Sequence, residues 1–587
     1  MRNPWPLLVL IVLLAASCGS QTSPESTPVQ ATTAPSPTPA EQPTNTPEPA
    51  VEPTSAPPTP AEAAEPVDHA GLPLPTDRGE LFTGSGVCAA CHTQMVDGAG
   101  NDISIDTFWR ASMMANSARD PYWQASVRGE VLSNPEYRAI IEDKCATCHT
   151  AMAHITAAAQ GEESRLLDDG FLSAEQGLHN LAMDGVSCNV CHQIRADNLG
   201  EEDSYSGGFV IDTGLPMGER ESFGPYQVGR RWAQLMQSSS GYVPVRGPHT
   251  SQPELCATCH TLYTPYVDTA GEIAGEFPEQ MPFLEWQASS FGTAITCQDC
   301  HMPPAKNAVR LSTTGGPPRE PFSQHIFVGG NTYMLQVLEA FGQEIATTAS
   351  SAEFRDKQAQ AAEQLQKRAA SISLKELSVD DSTLTADVAV ASMVGHKLPT
   401  GFPSRRVWLH FVVQDANGQI LFESGAVNPD GSIVGNDNDA DPRAYEPHYL
   451  SIASPDQVQV YETIMGDTED QVTTTLLRGA RYLKDNRLLP SGLDKTSAPQ
   501  DIAVQGAALE DPDFVGAGDH LQYIVDVGDA QGPFAVTVEL LYQAIGFRWA
   551  ENLRAYDAPE PNRFIEYYDQ IPNQPVVIAS ATAETRD

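Results

Sequence analysis

The chain has few basic residues. Lys and Arg together number 34 against 76 Asp and Glu, so the formal net charge at pH 7 is −42. A surface of this sign repels nucleic acid and the anionic headgroups of lipids, and we expect neither as a binding partner. It favours solubility and cationic partners or metal ions, although any well-solvated acidic surface has the same composition.

The N-terminus lacks a hydrophobic run long enough to cross a membrane. Residues 7–14 are apolar, whereas a transmembrane helix needs ~20 such residues. The run follows Arg2 and leads into Ala-Ala-Ser and Cys18, a pattern that resembles a bacterial lipoprotein signal. We therefore expect residues 1–18 to be a signal peptide, with Cys18 lipidated; an ordinary secretory signal is the alternative. Either signal predicts export, and the lipid predicts anchoring on the outer side of the cytoplasmic membrane, in the periplasm or at the cell surface.

Residues 19–66 contain no Lys and no Arg. They include 13 prolines and six glutamates, and Thr, Ser and Ala fill most of the rest. Such a segment has no apolar period and cannot bury enough surface to offset its ordering entropy. We expect a disordered tether that either holds the folded part away from a membrane or is only a leader.

No cysteine is left over for a disulfide. Apart from Cys18, the ten cysteines form five pairs with two residues between them, and a histidine follows each pair at once. The five C-x-x-C-H motifs are Cys88/Cys91/His92, Cys145/Cys148/His149, Cys188/Cys191/His192, Cys256/Cys259/His260 and Cys297/Cys300/His301.

This spacing is typical of covalent haem attachment. The two thiols of a motif can each add to one vinyl group of the same haem, and the adjacent imidazole then binds the iron. Structural zinc and disulfides also use paired cysteines, but neither requires a histidine directly after each pair. The sequence therefore predicts five c-type haems, with His92, His149, His192, His260 and His301 as their proximal ligands.

The pattern of apolar residues divides the remainder. Residues 67–345 show no βαβ pattern and no Gly-rich phosphate loop, and we predict a mainly α-helical, loop-rich multihaem domain there. Residues 346–370 read as a helical connector. From residue 371 the apolar period becomes two, and Ala416-Asn417-Gly418 is a strong hairpin signal, so residues 371–587 predict an all-β, immunoglobulin-like sandwich domain.

The sixth iron ligand decides between electron transfer and catalysis, since only five-coordinate iron can bind a substrate. Nine histidines remain once the proximal ones are set aside, so all five irons could be capped. Inside the haem region the candidates are His154, His179, His249 and His325, each of which could instead bond a propionate or the backbone. Met113 and Met114 are thioether candidates that could equally be core residues, and His396 could reach the haems from the β-domain.

Several segments resemble the multihaem cytochromes of the cytochrome c-554 and c-prime group. They lie between residues 80 and 550: Thr107 to Asn116 (TFWRASMMAN), Asp184-Gly185-Val186-Ser187, Gly247-Pro248-His249, Glu279 to Trp286 (EQMPFLEW), Gly395 to Gly401 (GHKLPTG) and Lys484 to Pro490 (KDNRLLP). The resemblance implies electron transfer, with His179, His249, His325 and His396 as distal ligands. Since the group includes relatives of hydroxylamine-oxidising and nitrite-reducing enzymes, it does not exclude catalysis.

Two further expectations concern ligands and partners. The run Asn436 to Asp441 (NDNDAD) alternates carboxylates like a calcium loop, although the terminal glutamate of that template is missing, and an acidic turn is the alternative. We expect an electron carrier whose partners are redox proteins or other multihaem cytochromes. The alternatives are a redox enzyme that acts on a small nitrogen or sulfur compound at a five-coordinate haem, and a subunit of a larger assembly.

Overall fold

The computed structural model describes residues 68–585. The predicted signal peptide, the lipidation site Cys18 and the predicted tether lie outside these residues. The described chain belongs to one compact unit, Ala63–Asp587. The domain boundaries predicted at residues 345/346 and 370/371 stay predictions.

The helices are numerous and mostly short. In chain order they are α1 (Ser85–Ala89), α2 (Ile105–Arg110), α3 (Pro121–Ser133), α4 (Arg138–His149), α5 (Ala151–Gln160), α6 (His179–Met183), α7 (Cys188–Cys191), α8 (Arg230–Ser240), α9 (Pro253–Ala257), α10 (Pro282–Gln287), α11 (Cys297–His301), α12 (Thr332–Ala340), α13 (Gly342–Ile345), α14 (Ser351–Arg368), α15 (Asp437–Ala440), α16 (Phe547–Glu551) and α17 (Pro559–Gln570). No helix within residues 68–585 combines the length and apolarity that crossing a bilayer requires.

The strands are β1 (Arg220–Gly224), β2 (Tyr242–Arg246), β3 (Leu262–Val267), β4 (Ile273–Gln280), β5 (Ala370–Asp380), β6 (Thr383–Ser392), β7 (Arg406–Gln414), β8 (Ile420–Ser424), β9 (Ser451–Ile452), β10 (Val460–Tyr461), β11 (Thr463–Gly466), β12 (Arg481–Asp485), β13 (Gly518–Asp526), β14 (Ala535–Gln543) and β15 (Val576–Glu584). Three pairs form two-stranded sheets: β1 with β2 in parallel, and β3 with β4 and β11 with β12 antiparallel. The larger sheets have the orders β5-β6-β13-β9 and β10-β7-β14-β15, with β8 also on β7.

Local signals explain where several of these elements begin and turn. The Asp120 carboxylate accepts hydrogen bonds from the N–H groups of Tyr122 and Trp123 and so caps α3, whose first residue is Pro121. Ser350 and Glu353 form a capping box at the start of α14. The predicted hairpin is present: β7 and β8 pair antiparallel around a turn in which Gly418 has φ of +79°.

The predicted fold class is wrong. Helix accounts for 30% and strand for 22% of the chain, in several small sheets joined by many loops, so the protein is not mainly helical. The haem-motif region contains β1 to β4, and the supposed all-β region contains α15 to α17. The two larger sheets share a buried core but close no immunoglobulin-like sandwich within the described residues.

The missed elements have a common physical origin. Strands β1 to β4 have no clear alternating pattern of their own; β1 and β2 are stabilised by parallel pairing on either side of α8, and β3 and β4 by antiparallel pairing with each other. Helix α17 packs on α3, and Arg128 of α3 makes hydrogen bonds of 2.8 and 3.0 Å to the Glu560 carboxylate of α17. The C-terminal residues therefore complete the packing of the motif region rather than forming a separate layer.

Candidate functional site

One cavity of about 1570 Å³ collects all five C-x-x-C-H motifs. Its mainly apolar wall includes every one of the ten motif cysteines and all five motif histidines. Pockets for a single small ligand usually measure ~300–1000 Å³, so this one is too large for a single small molecule. A row of bulky apolar cofactors suits both its size and its lining.

Each motif lies on a helical turn, as double attachment requires. Cys88 is in α1, Cys145 and Cys148 are in the last turns of α4, and α7, α9 and α11 carry the other three motifs. The structure joins these helices. The buried Asp184 carboxylate accepts hydrogen bonds from the hydroxyls of Ser85 and Ser187, which begin the first and third motif helices.

The motif imidazoles are oriented by the backbone. In four of them Nδ1 lies 2.5–3.0 Å from a carbonyl oxygen: His92 on Leu311, His149 on Ser117, His192 on Phe223 and His301 on Val328. A carbonyl can only accept, so Nδ1 carries the proton and the Nε2 lone pair is left for a metal. This tautomer is the one that an axial ligand needs.

Burial keeps these imidazoles neutral. It lowers the pKa of His92, His192 and His301 below the usual value, and lowers the pKa of His149 and His260 to about 4. A neutral imidazole is the form that binds a metal ion.

Two motif histidines face a second imidazole. The ring centres of His192 and His325 are 6.3 Å apart with planes at 17°, and those of His301 and His396 are 6.3 Å apart at 19°. Metal–nitrogen bonds of ~2 Å on opposite sides of one ion separate two ring centres by about 6 Å. His325 and His396 also donate from Nδ1 to carbonyl oxygens, of Ser323 at 3.1 Å and of Lys397 at 2.8 Å. Both pairs therefore fit one iron between two axial imidazoles.

The other predicted distal ligands are placed less directly. Met113 and Met114 line the cavity, whereas His154, His179 and His249 are not in its wall. Nδ1 of His179 donates to the Phe171 carbonyl at 2.9 Å, and Nδ1 of His154 lies 2.7 Å from the Ser164 hydroxyl. In His249 the two ring nitrogens have the opposite roles: Nε2 donates to the Ile194 carbonyl at 2.9 Å, which leaves Nδ1 free to bind a metal.

Contacts between thiols give the order of the motifs around the cavity. Cys88 lies next to Cys188, Cys148 next to Cys259, and Cys256 next to Cys297. The first motif therefore adjoins the third, and the fourth adjoins both the second and the fifth. In addition, Gln298 of the fifth motif donates to the carbonyl of Gln252, which precedes α9, at 2.8 Å.

Sequence reasoning missed the cations of the cavity wall, among them Lys357 and Arg405. The Lys357 side chain is buried, donates to the Ile326 carbonyl at 2.6 Å, and has its pKa lowered by burial to about 7. Neither residue forms an ion pair with a carboxylate in the described part of the chain, so both could meet the carboxylates of a haem. No local sequence signal marks them, because helix and loop positions with one basic residue are common.

The residues of the predicted calcium loop make contacts with the protein itself. Asn436 caps the short helix α15, and the Asp439 carboxylate is held by both terminal nitrogens of Arg406, at 2.6 and 3.0 Å. A carboxylate engaged in this way is not available to a cation. We do not propose calcium.

A second group with metal-ligand residue types, His448, Asp511 and Asp519, is also buried. Nδ1 of His448 accepts from the side-chain amides of Gln459 and Asn486, at 2.9 and 3.1 Å. The amide oxygens of both accept backbone N–H groups, which fixes their orientation. Nε2 of His448 therefore carries the proton and donates to Asp511 at 3.0 Å, so this is a closed hydrogen-bond network rather than a metal site.

Comparisons with known proteins give one remote likeness. No protein-family model and no curated protein matches the chain. A solved structure similar to it is that of a penta-heme cytochrome c552 from Thermochromatium tepidum, with 16% sequence identity, a TM-score of 0.46, and coverage of 85% of this chain and 98% of the other.

Proposed function

We propose that this protein is an exported, lipid-anchored multihaem cytochrome c that transfers electrons through five covalently bound haems. The observation that carries the proposal is the convergence of five C-x-x-C-H motifs on one apolar cavity. Haem, when bound, supplies an iron that cycles between Fe(III) and Fe(II). The ten motif cysteines attach it, and His92, His149, His192, His260 and His301 present Nε2 as proximal ligands.

The adjacency of the motifs supports a transfer path. Haems held by the first and third motifs would lie next to each other, and a haem held by the fourth would lie next to those of the second and fifth, so electrons could pass between them. The Cys88–Cys188, Cys148–Cys259 and Cys256–Cys297 contacts support this order.

The predicted axial ligands favour electron transfer over catalysis at the third and fifth sites. His325 opposite His192 and His396 opposite His301 would leave those irons no open position. For the first, second and fourth sites we keep His179, His249, His154, Met113 and Met114 as candidate distal ligands.

One observation favours a second candidate function. Among residues 68–585, His92, His149 and His260 have no parallel imidazole at the spacing of the two pairs. An open iron at one of these sites would permit a redox enzyme acting on a small nitrogen or sulfur compound.

The remaining parts of the proposal concern location. The lipoprotein-like signal supports an anchor at Cys18, with contact to the membrane through the lipid alone and with redox proteins or other multihaem cytochromes as partners. Replacing Cys18 by Ala should move the protein from the membrane fraction to the soluble fraction, whereas Ser20→Ala should not. A C18A protein that stays with the membrane contradicts the anchor.

A mass spectrum and a pyridine haemochrome assay test the central proposal. The expected mass is that of the mature chain plus five haems, with thioethers on every motif cysteine. A colourless protein whose mass is lower by two hydrogens per cysteine pair would instead indicate disulfides, and bound zinc would indicate structural metal sites. EPR of the oxidised protein separates the two functions, since purely low-spin signals contradict the enzyme.

A further inference from the structure

Four charged side chains are almost fully buried between the fifth motif region and the C-terminal sheets. Glu285 is on α10, Lys397 follows His396, and Asp485 and Arg487 lie at the end of β12 and just beyond it. Their side chains are between 0% and 8% exposed. We call these four residues the clamp.

The four charges of the clamp form one continuous network of ion pairs. Lys397 Nζ lies 2.7 Å from Asp485 Oδ2, and Arg487 Nη2 lies 2.7 Å from the same oxygen. Arg487 Nη1 reaches Glu285 Oε1 at 2.9 Å. Two positive and two negative groups therefore neutralise one another without solvent. Such buried networks are weak sources of stability, and their best-attested role is to specify one geometry.

The geometry that the clamp specifies is that of the segment around His396. Glu285 Oε2 accepts the backbone N–H of Lys397 at 3.1 Å and the hydroxyl of Thr400 at 2.5 Å. The carbonyl of the same Lys397 accepts Nδ1–H of His396 at 2.8 Å. Beside it, Leu398 and Leu488 exchange two backbone hydrogen bonds of 2.9 Å. The imidazole is thus tied to α10, which shortly precedes the fifth motif in the chain.

We propose that Glu285, Lys397, Asp485 and Arg487 are positioning residues that hold the His396 imidazole opposite His301, and so keep the fifth haem iron six-coordinate. This inference rests on the proposed function, because it takes the fifth motif to carry a haem. It adds that four residues which never touch the iron decide its spin state.

The test compares clamp variants with the direct loss of the ligand. Arg487→Met and Glu285→Gln break the clamp, and His396→Ala removes the imidazole. Asp439→Asn is the matched control, because the Arg406–Asp439 pair is equally buried, with side chains 4% exposed, and lies away from the cavity. EPR of the oxidised protein and carbon monoxide binding to the reduced protein count open haems, and the pyridine haemochrome counts all haems.

We expect His396→Ala, Arg487→Met and Glu285→Gln each to show one more high-spin, CO-binding haem per chain than the wild type, with the haem count unchanged. Added imidazole should return that haem to low spin. Asp439→Asn should match the wild type. If Arg487→Met does not accumulate, Thr400→Val removes one bond to Glu285 without stranding a charge and should raise the high-spin share in the same direction.

Different failures lead to different conclusions. Clamp variants that stay low-spin while His396→Ala turns high-spin would overturn the positioning role. A low-spin His396→Ala protein with five haems would overturn the ligand assignment, and with it this inference, but not the proposed function. A wild-type protein without haem would overturn the proposed function itself.

Discussion

Replacing Glu279 by Gln should remove a pH dependence of stability that the cavity creates. Glu279 is the penultimate residue of β4 and lines the cavity with its side chain buried. Its Oε1 accepts a bond from Gln280 at 2.8 Å, whereas its Oε2 has no hydrogen-bond partner in the described chain. Burial raises the pKa of this carboxyl to about 7, against the lowering influence of Gln280, Thr264 and Lys144.

The direction and size of this pH effect on stability follow from proton linkage. Because the folded carboxyl holds its proton more tightly than the unfolded one, stability falls as pH rises from the unfolded pKa of 4.5 to the folded value of about 7. The difference corresponds to about 3 kcal/mol above pH 7. A glutamine side chain at this position would mimic the protonated acid, so the variant should match the wild type near pH 4.5 and be more stable above pH 7. For a folded unit of this size the gain in Tm is ~3 °C.

Thermal unfolding of the haem-loaded protein, followed by circular dichroism across pH 4.5 to 8, measures this difference. Glu276→Gln is the matched control, because Glu276 is on the same strand but exposed. Its pH profile should parallel that of the wild type. Equal pH profiles for Glu279→Gln and the wild type would refute the reasoning, since they would mean that Glu279 ionises in the folded protein as easily as in the unfolded chain.

Three further predictions use the same structure. His325→Ala should add one high-spin haem in the EPR spectrum, because it removes the imidazole 6.3 Å from His192; an unchanged spectrum would contradict that pairing. Replacing both Cys297 and Cys300 by Ser should lower the haem content by mass from five to four, and five retained haems would contradict attachment at this motif. Glu560→Gln should lower the free energy of unfolding by about 2 kcal/mol, because it weakens two charge-assisted bonds of 2.8 and 3.0 Å to Arg128; Glu566→Gln, on the exposed face of α17, should leave it unchanged.

The elements with strong local signals were predictable from the sequence. The hairpin at Gly418 is present where the pattern placed it, and the region of alternating apolar residues from residue 371 contains β13 and β14. Strands β1 to β4 were not predicted because they have no clear alternating pattern, and helix α17 was not predicted because it packs on α3, far away in the chain. Arg128 and Glu560, for example, are 432 residues apart. The sandwich prediction failed for a related reason: alternation predicts strands but not how two sheets close.

The attachment chemistry of this protein is determined locally. Two thiols and an imidazole within five consecutive residues are sufficient to define each candidate haem site, whatever surrounds it, so Cys88 to His301 could be assigned as five motifs without any structure. The tertiary structure alone decided three things: which sites adjoin, which imidazoles face each other, and which buried charges hold the His396 imidazole in place. His396 meets His301 from a distant part of the chain only because Glu285 and Arg487 are brought together in the folded protein. Such meetings depend on the packing of whole elements, and no short pattern encodes them.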